Sequence, residues 1–78
     1  MTNLAIYKQV FIESFNVNPD QLDTLVYRSI SGWDSVGHMV LISALEEAFS
    51  IMMESDDMIN FSSYEKGKQI MKKYNVDL

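Results

Sequence analysis

Apolar residues return at steps of three and four through three stretches of the chain, the spacing of helices that each bury one stripe. Leu4, Tyr7, Val10, Phe11 and Phe15 make the first stripe. Met39, Ile42, Leu45 and Phe49, with Leu41 and Ala48, make the second, and Tyr64, Gly67, Ile70, Met71 and Tyr74 the third. The 78 residues include no cysteine, so neither a disulfide nor a thiolate ligand braces the fold. So short a chain buries only a modest core, and its stability has to come from helix packed on helix. The expected architecture is all-α: one domain over residues 1–78, a four-helix bundle with three longer helices, one short third helix and a long ordered loop between the first two.

Local signals set the expected boundaries. The first helix spans residues 3–15, with Thr2 or Asn3 as its cap and Asn16 as a left-handed stop. Asn18-Pro19-Asp20 then breaks the pattern, and Pro19 suits the first position of a helical turn around residues 19–24. The segment up to Trp33 is long for a loop, but Leu22, Leu25, Val26, Tyr27 and Ile30 can each anchor it in a groove. The second helix is expected from about Ser35 to Ser50. Ser55 or Asp56 caps a short helix over residues 57–60, Ser62 and Glu65 form a capping box for the last helix, and the tail 75–78 frays.

Charge and composition exclude several functions. A net charge of −5 argues against nucleic acid, whose phosphates need a basic face, and favours basic partner surfaces. No apolar run is long enough to span a membrane. The N-terminus lacks the basic stretch of a signal peptide, so a cytoplasmic monomer is expected. The acidic run Glu54-Ser55-Asp56-Asp57 lacks the alternating ligands and central glycine of a calcium loop, and one histidine without cysteine makes no zinc site. A Ser35–His38 pair has no third orienting group and no room for a cleft, so no enzyme is expected; His38 reads as a surface residue. The six methionines read as core filling.

What remains is the junction Gly32-Trp33-Asp34-Ser35-Val36-Gly37-His38-Met39. Asp34 and Ser35 both have N-cap side chains, so Ser35 sits at a helix start, where free amides and the helix dipole favour an anion. Gly37 in the first turn costs roughly 1 kcal/mol against alanine, which fits either a close approach by another group or a tolerated defect. Val36, Val40 and Ser43 form a second row where a polar face is expected.

This octapeptide resembles the Asp-Ser-Leu attachment motif of acyl carrier proteins, with Val36 in place of leucine. Ala44-Leu45-Glu46-Glu47-Ala48-Phe49 is similar to the end of the same helix in that family. The resemblance covers nearly the whole chain. It implies a 4'-phosphopantetheine arm on Ser35, flanked by Asp34 and attached by a phosphopantetheinyl transferase. The arm's thiol would hold acyl groups as thioesters for fatty-acid or specialised polyketide-type biosynthesis. Acyl-activating, acyltransferase or synthase enzymes with basic docking surfaces would be the partners. An aryl, aminoacyl or peptidyl carrier shares the same arm, and an unmodified helical adaptor shares only the fold. The attachment helix in fatty-acid members is acidic from its first turn, whereas here those positions are Gly37 and Val40. The expected contact surface is therefore split: Val36, Gly37, His38 and Val40 beside Ser35, and an acidic rim of Glu46, Glu47, Glu54, Asp56 and Asp57 farther on.

Overall fold

The computed structural model describes residues 2–78. Helix α1 is Asn3–Phe15, α2 is Ser35–Phe49, α3 is Ser55–Asn60 and α4 is Tyr64–Lys72, with a 3-10 helix, Pro19–Thr24, between α1 and α2. The described residues form no strand; their one extended pairing is an isolated antiparallel bridge between Val26 and Ser63.

Caps follow the sequence chemistry closely. Thr2 Oγ1 accepts the Ala5 amide at 3.1 Å, and Asn16 ends α1 in the left-handed region at φ 52°. Pro19 opens the 3-10 helix after Asn18. Ser50 ends α2 at φ 53°. Ser63, rather than Ser62, caps α4 by accepting the Lys66 amide at 2.9 Å. The Ser62–Glu65 capping box is displaced because the Ser62 carbonyl accepts the Tyr27 amide at 2.8 Å, and Tyr64 N donates to Leu25 O at 3.0 Å. Those two bonds hold the long loop against the start of α4. Leu22 and Leu25 anchor the loop in the interior, while Val26 is exposed and anchors it only through its backbone. The radius of gyration, 11.2 Å, is close to the ~11.5 Å expected for a compact chain of this length, so the loop adds no bulk.

The core is aromatic at its centre. Tyr7, Phe11, Trp33, Phe61 and Tyr64 are all fully buried. Phe11 has the rings of Tyr7 and Tyr64 at 5.0 Å, Trp33 at 5.7 Å, Phe15 at 6.1 Å and Phe61 at 6.2 Å, so α1, the loop's end, α3's end and α4 meet on one side chain. Tyr7 Oη donates to the Tyr64 carbonyl at 2.8 Å. Burial pushes the Tyr64 phenol up to about 12.

Four expectations are corrected. Met39 and Ala48 face solvent, because the buried face of α2 centres on Leu41, Ile42 and Leu45. The short helix begins at Ser55, not at residue 57, and no side chain caps it. The tail does not fray at its start: Val76 is buried and its amide donates to Met71 O at 3.2 Å, after a left-handed turn at Asn75. His38 is half-buried rather than a surface residue, for reasons given below.

Gly67 is required by close approach. A Cβ there would lie 2.3 Å from both Phe61 Cζ and Tyr7 Oη. Gly67→Ala gains helix propensity but overpacks a rigid aromatic cluster, and overpacking costs about 1–3 kcal/mol. The variant should show a lower urea midpoint with an unchanged m-value; a midpoint at or above that of the parent chain would refute the packing argument.

Candidate functional site

Two adjacent oxygens can cap α2, and the fold assigns them different tasks. Asp34 is the N-cap: its Oδ1 accepts the Gly37 amide at 2.8 Å, and its carbonyl accepts the His38 amide at 2.8 Å. Ser35 is the first helical residue and is exposed, with its Oγ 3.3 Å from Tyr27 Oη. The hydroxyl is therefore free of capping duty and reachable from solvent.

Gly37 matters for a backbone contact. A Cβ at this position would lie 1.9 Å from the Gly32 carbonyl oxygen, so the loop returns directly against the first turn of α2. Any larger residue would push the Ser31-Gly32 turn away and shift the start of the helix. Gly37 is thus engaged inside the junction rather than offered to a partner.

His38 is also engaged on both ring nitrogens. Trp33 Nε1–H donates to His38 Nδ1 at 2.9 Å, which puts the imidazole proton on Nε2, 2.7 Å from the Met58 carbonyl it donates to. The ring stacks on Trp33 at 6.2 Å and meets Tyr27 edge-on at 5.5 Å. It ties the loop's end to α2 and α2 to α3. Neither nitrogen faces Ser35, so the pair is not arranged for nucleophilic catalysis.

On the opposite side of α2 lies an apolar face. Val36 is 74% exposed, Val40 54% and Met39 52%. With Ser35, Ser43, Ala44 and Glu47 they line one shallow groove. At 100° per residue Val36, Val40 and Ser43 lie nearly opposite Leu41, Ile42 and Leu45, farther from the core than a second row beside the core stripe. Met39 is the residue that the sequence reading placed inside. It sits at the margin of both faces, and its periodicity alone does not choose between them.

The expected acidic rim divides. Glu47 borders the groove, and Glu54 and Asp56 are exposed. Glu46 is half-buried and its Oε2 accepts the Met53 amide at 2.9 Å, closing the link after α2. Asp57 is 5% exposed and accepts from Lys73 Nζ at 2.7 Å and from Tyr74 Oη. Its carboxylate holds α3 to the end of α4 and does not face a partner. Among the described residues no three His, Asp or Glu side chains gather as metal ligands would.

Residue types alone do not reveal that Tyr27 neighbours Ser35 or that Arg28 lies against Tyr27. Of Tyr27 only the ring anchors the loop; its hydroxyl reaches Ser35. Arg28, the chain's only arginine, lies with its guanidinium carbon 5.3 Å from the centre of the Tyr27 ring. The bond shared with Ser35, and then the neighbouring guanidinium, hold the Tyr27 phenol below its ordinary range. No sequence signal short of the loop's three-dimensional path brings Tyr27 to Ser35.

No protein family, curated protein or solved structure matches this chain.

The pairing of Asp57 makes a pH prediction. Hydrogen bonds from Lys73 and then Tyr74 hold its carboxyl below the usual carboxylate range. A carboxyl more acidic when folded than when unfolded stabilises fully above its unfolded pKa, and that contribution is lost as pH falls through the folded value. The parent chain should therefore lose stability steadily below about pH 5. Asp57→Asn should be less stable at neutral pH and show a shallower acid limb in thermal melts. Parallel limbs would disprove the linkage.

Proposed function

We propose that this chain is an acyl carrier protein, without catalytic activity of its own, whose Ser35 hydroxyl accepts a 4'-phosphopantetheine arm. The observation that carries the reading is the division of labour at the start of α2, where Asp34 caps and Ser35 stands exposed. On the same reading the four helices form a bundle with Ser35 at the loop-facing end of α2.

The residues present suit a phosphodiester on Ser35. The amides of Ser35 and Val36 lie in the first helical turn, where N–H groups have no intrahelical acceptor, and the positive end of the α2 dipole lies at this point. The Gly37 amide is already taken by Asp34, whose carboxylate adds an opposing charge beside the same oxygen. When attached, the arm supplies the one group that a chain without cysteine lacks, a thiol able to form thioesters. The chain's own part is to hold the hydroxyl out, to keep the helix start rigid and to present the Val36–Met39–Val40 face. An apolar pocket lined by Tyr27, His38, Ile59 and Phe61 lies close to the same junction and suits shelter of an acyl chain. The groove's apolar lining favours partners that read shape and hydrophobic contact near Ser35, with Glu47, Glu54 and Asp56 as the charged outer contacts.

Two measurements test this reading. Incubation with coenzyme A and a phosphopantetheinyl transferase should add one phosphopantetheine mass to the intact protein, and Ser35→Ala should abolish the addition. An absent adduct, or one that survives the substitution, leaves a helical adaptor. Val40→Glu, on a solvent-facing site, should keep the helical circular dichroism but raise the transferase KM by about tenfold, the equivalent of ~1.4 kcal/mol. An unchanged or lower KM would show that partners read charge here and not the apolar face.

A further inference from the structure

Beside Ser35 the loop delivers a phenol, with a guanidinium against its ring. The Tyr27 ring is held edge-on to Trp33 at 6.4 Å and to His38 at 5.5 Å, so its hydroxyl is aimed and not free to swing. That hydroxyl stands 3.3 Å from Ser35 Oγ. Arg28 follows in an uncommon left-handed conformation, φ 67°, which a residue with a Cβ adopts only where its surroundings hold it. Here the Arg28 amide donates to Trp33 O at 3.0 Å. Ser29 staples the turn from the other side: its Oγ donates to Val26 O at 2.6 Å and accepts the Val26 amide at 3.1 Å. The turn thus runs back toward the start of α2 and leaves the guanidinium against the Tyr27 ring.

We propose that Tyr27 and Arg28 form a clamp for a phosphate ester carried on Ser35, the phenol donating a hydrogen bond to a phosphate oxygen and the guanidinium neutralising its charge. This rests on the reading of Ser35 as a phosphate-bearing hydroxyl and deepens it with two positioning residues. The charge arrangement calls for such a partner. Asp34 occupies the Gly37 amide and places a carboxylate next to the modified oxygen, so the helix end alone is a poor host for a second anion. A planar guanidinium matches phosphate geometry and offers strong charge-assisted bonds. The proximity of Arg28 to the phenol and the lowered pKa of Tyr27, due first to its bond with Ser35 and then to Arg28, fit a site that already favours negative charge. Both residues hold the phosphate and leave the chemistry of its attachment to the transferase.

The test compares three forms of the protein, unmodified, carrying phosphopantetheine, and carrying phosphoserine incorporated at position 35 during synthesis, each in the parent chain and in Tyr27→Phe, Arg28→Gln and Arg28→Lys. Thermal melts at low ionic strength give the Tm increment on modification. In the parent chain the increment should be about 4–8 °C, one strong interaction's effect in a domain of this size. Tyr27→Phe, which keeps the ring, should lose part of it, Arg28→Gln most of it, and Arg28→Lys should recover a fraction. The phosphorus NMR signal should move in the same variants toward its position in the urea-unfolded protein. Variants that lower the Tm of modified and unmodified protein equally, with an unmoved phosphorus signal, overturn the clamp. An adduct that forms with no variant-dependent increment refutes the clamp and leaves the carrier reading. A failed enzymatic adduct with a variant-dependent phosphoserine increment refutes the carrier reading and leaves the clamp.

Discussion

Phe11 is the side chain on which the rest of the fold depends. Its ring packs on aromatic rings from α1, the end of the long loop, the end of α3 and the start of α4, and α2 is reached through the Trp33–His38 bond. Edge-on and stacked aromatic pairs add directional preference to a large apolar burial, which a core of this size needs if it is to hold one arrangement. The arrangement has consequences at a distance. Phe61 and Tyr7 close over α4 so tightly that only a glycine fits at position 67. Trp33, stacked 5.1 Å from Phe15, fixes the loop one residue before the cap of α2.

From Trp33 the constraint passes to the site through hydrogen bonds. Its indole N–H selects the tautomer of His38, and the remaining imidazole proton reaches the Met58 carbonyl. A helix as short as α3 has little stability by itself, so this bond and the Asp57 carboxylate, bound to Lys73 and Tyr74, hold it in place. The face of α2 turned away from these contacts carries Val36, Met39 and Val40 exposed. One helix thus separates structural duty on its inner side from surface available for recognition on its outer side.

Local signals were legible and distant ones were not. Thr2, Asn16, Pro19 and the limits of α1 and α2 follow from residue types and helical periodicity, which act over four residues or fewer. Gly37 was recognisable as an unusual first-turn residue, but the Gly32 carbonyl that requires it becomes visible only when the loop closes. Asp57 reads as part of an acidic contact rim because its partners are sixteen and seventeen residues away. His38 looked exposed for the same reason: one of its partners, Met58, lies twenty residues on. Residue type leaves the choice between Asp34 and Ser35 as cap open because both side chains can accept a first-turn amide; in the folded junction only Asp34 does. The contact between Tyr27 and Ser35 arises from a left-handed turn at an arginine, where composition predicts none.

The assignment of the cap to Asp34 frees the Ser35 oxygen from the bond that starts α2. If Ser35 held the Gly37 amide, any group attached to its oxygen would remove the bond that starts α2, and the bare and modified chains would begin their helix differently. With Asp34 in that place the start of α2 does not depend on the Ser35 oxygen. An enzyme approaching a bare chain and one approaching a chain modified at Ser35 would then meet the same capped helix start, whatever contacts the attached group adds. The bond that starts α2 is correspondingly indifferent to chemistry at Ser35, but not to chemistry at Asp34.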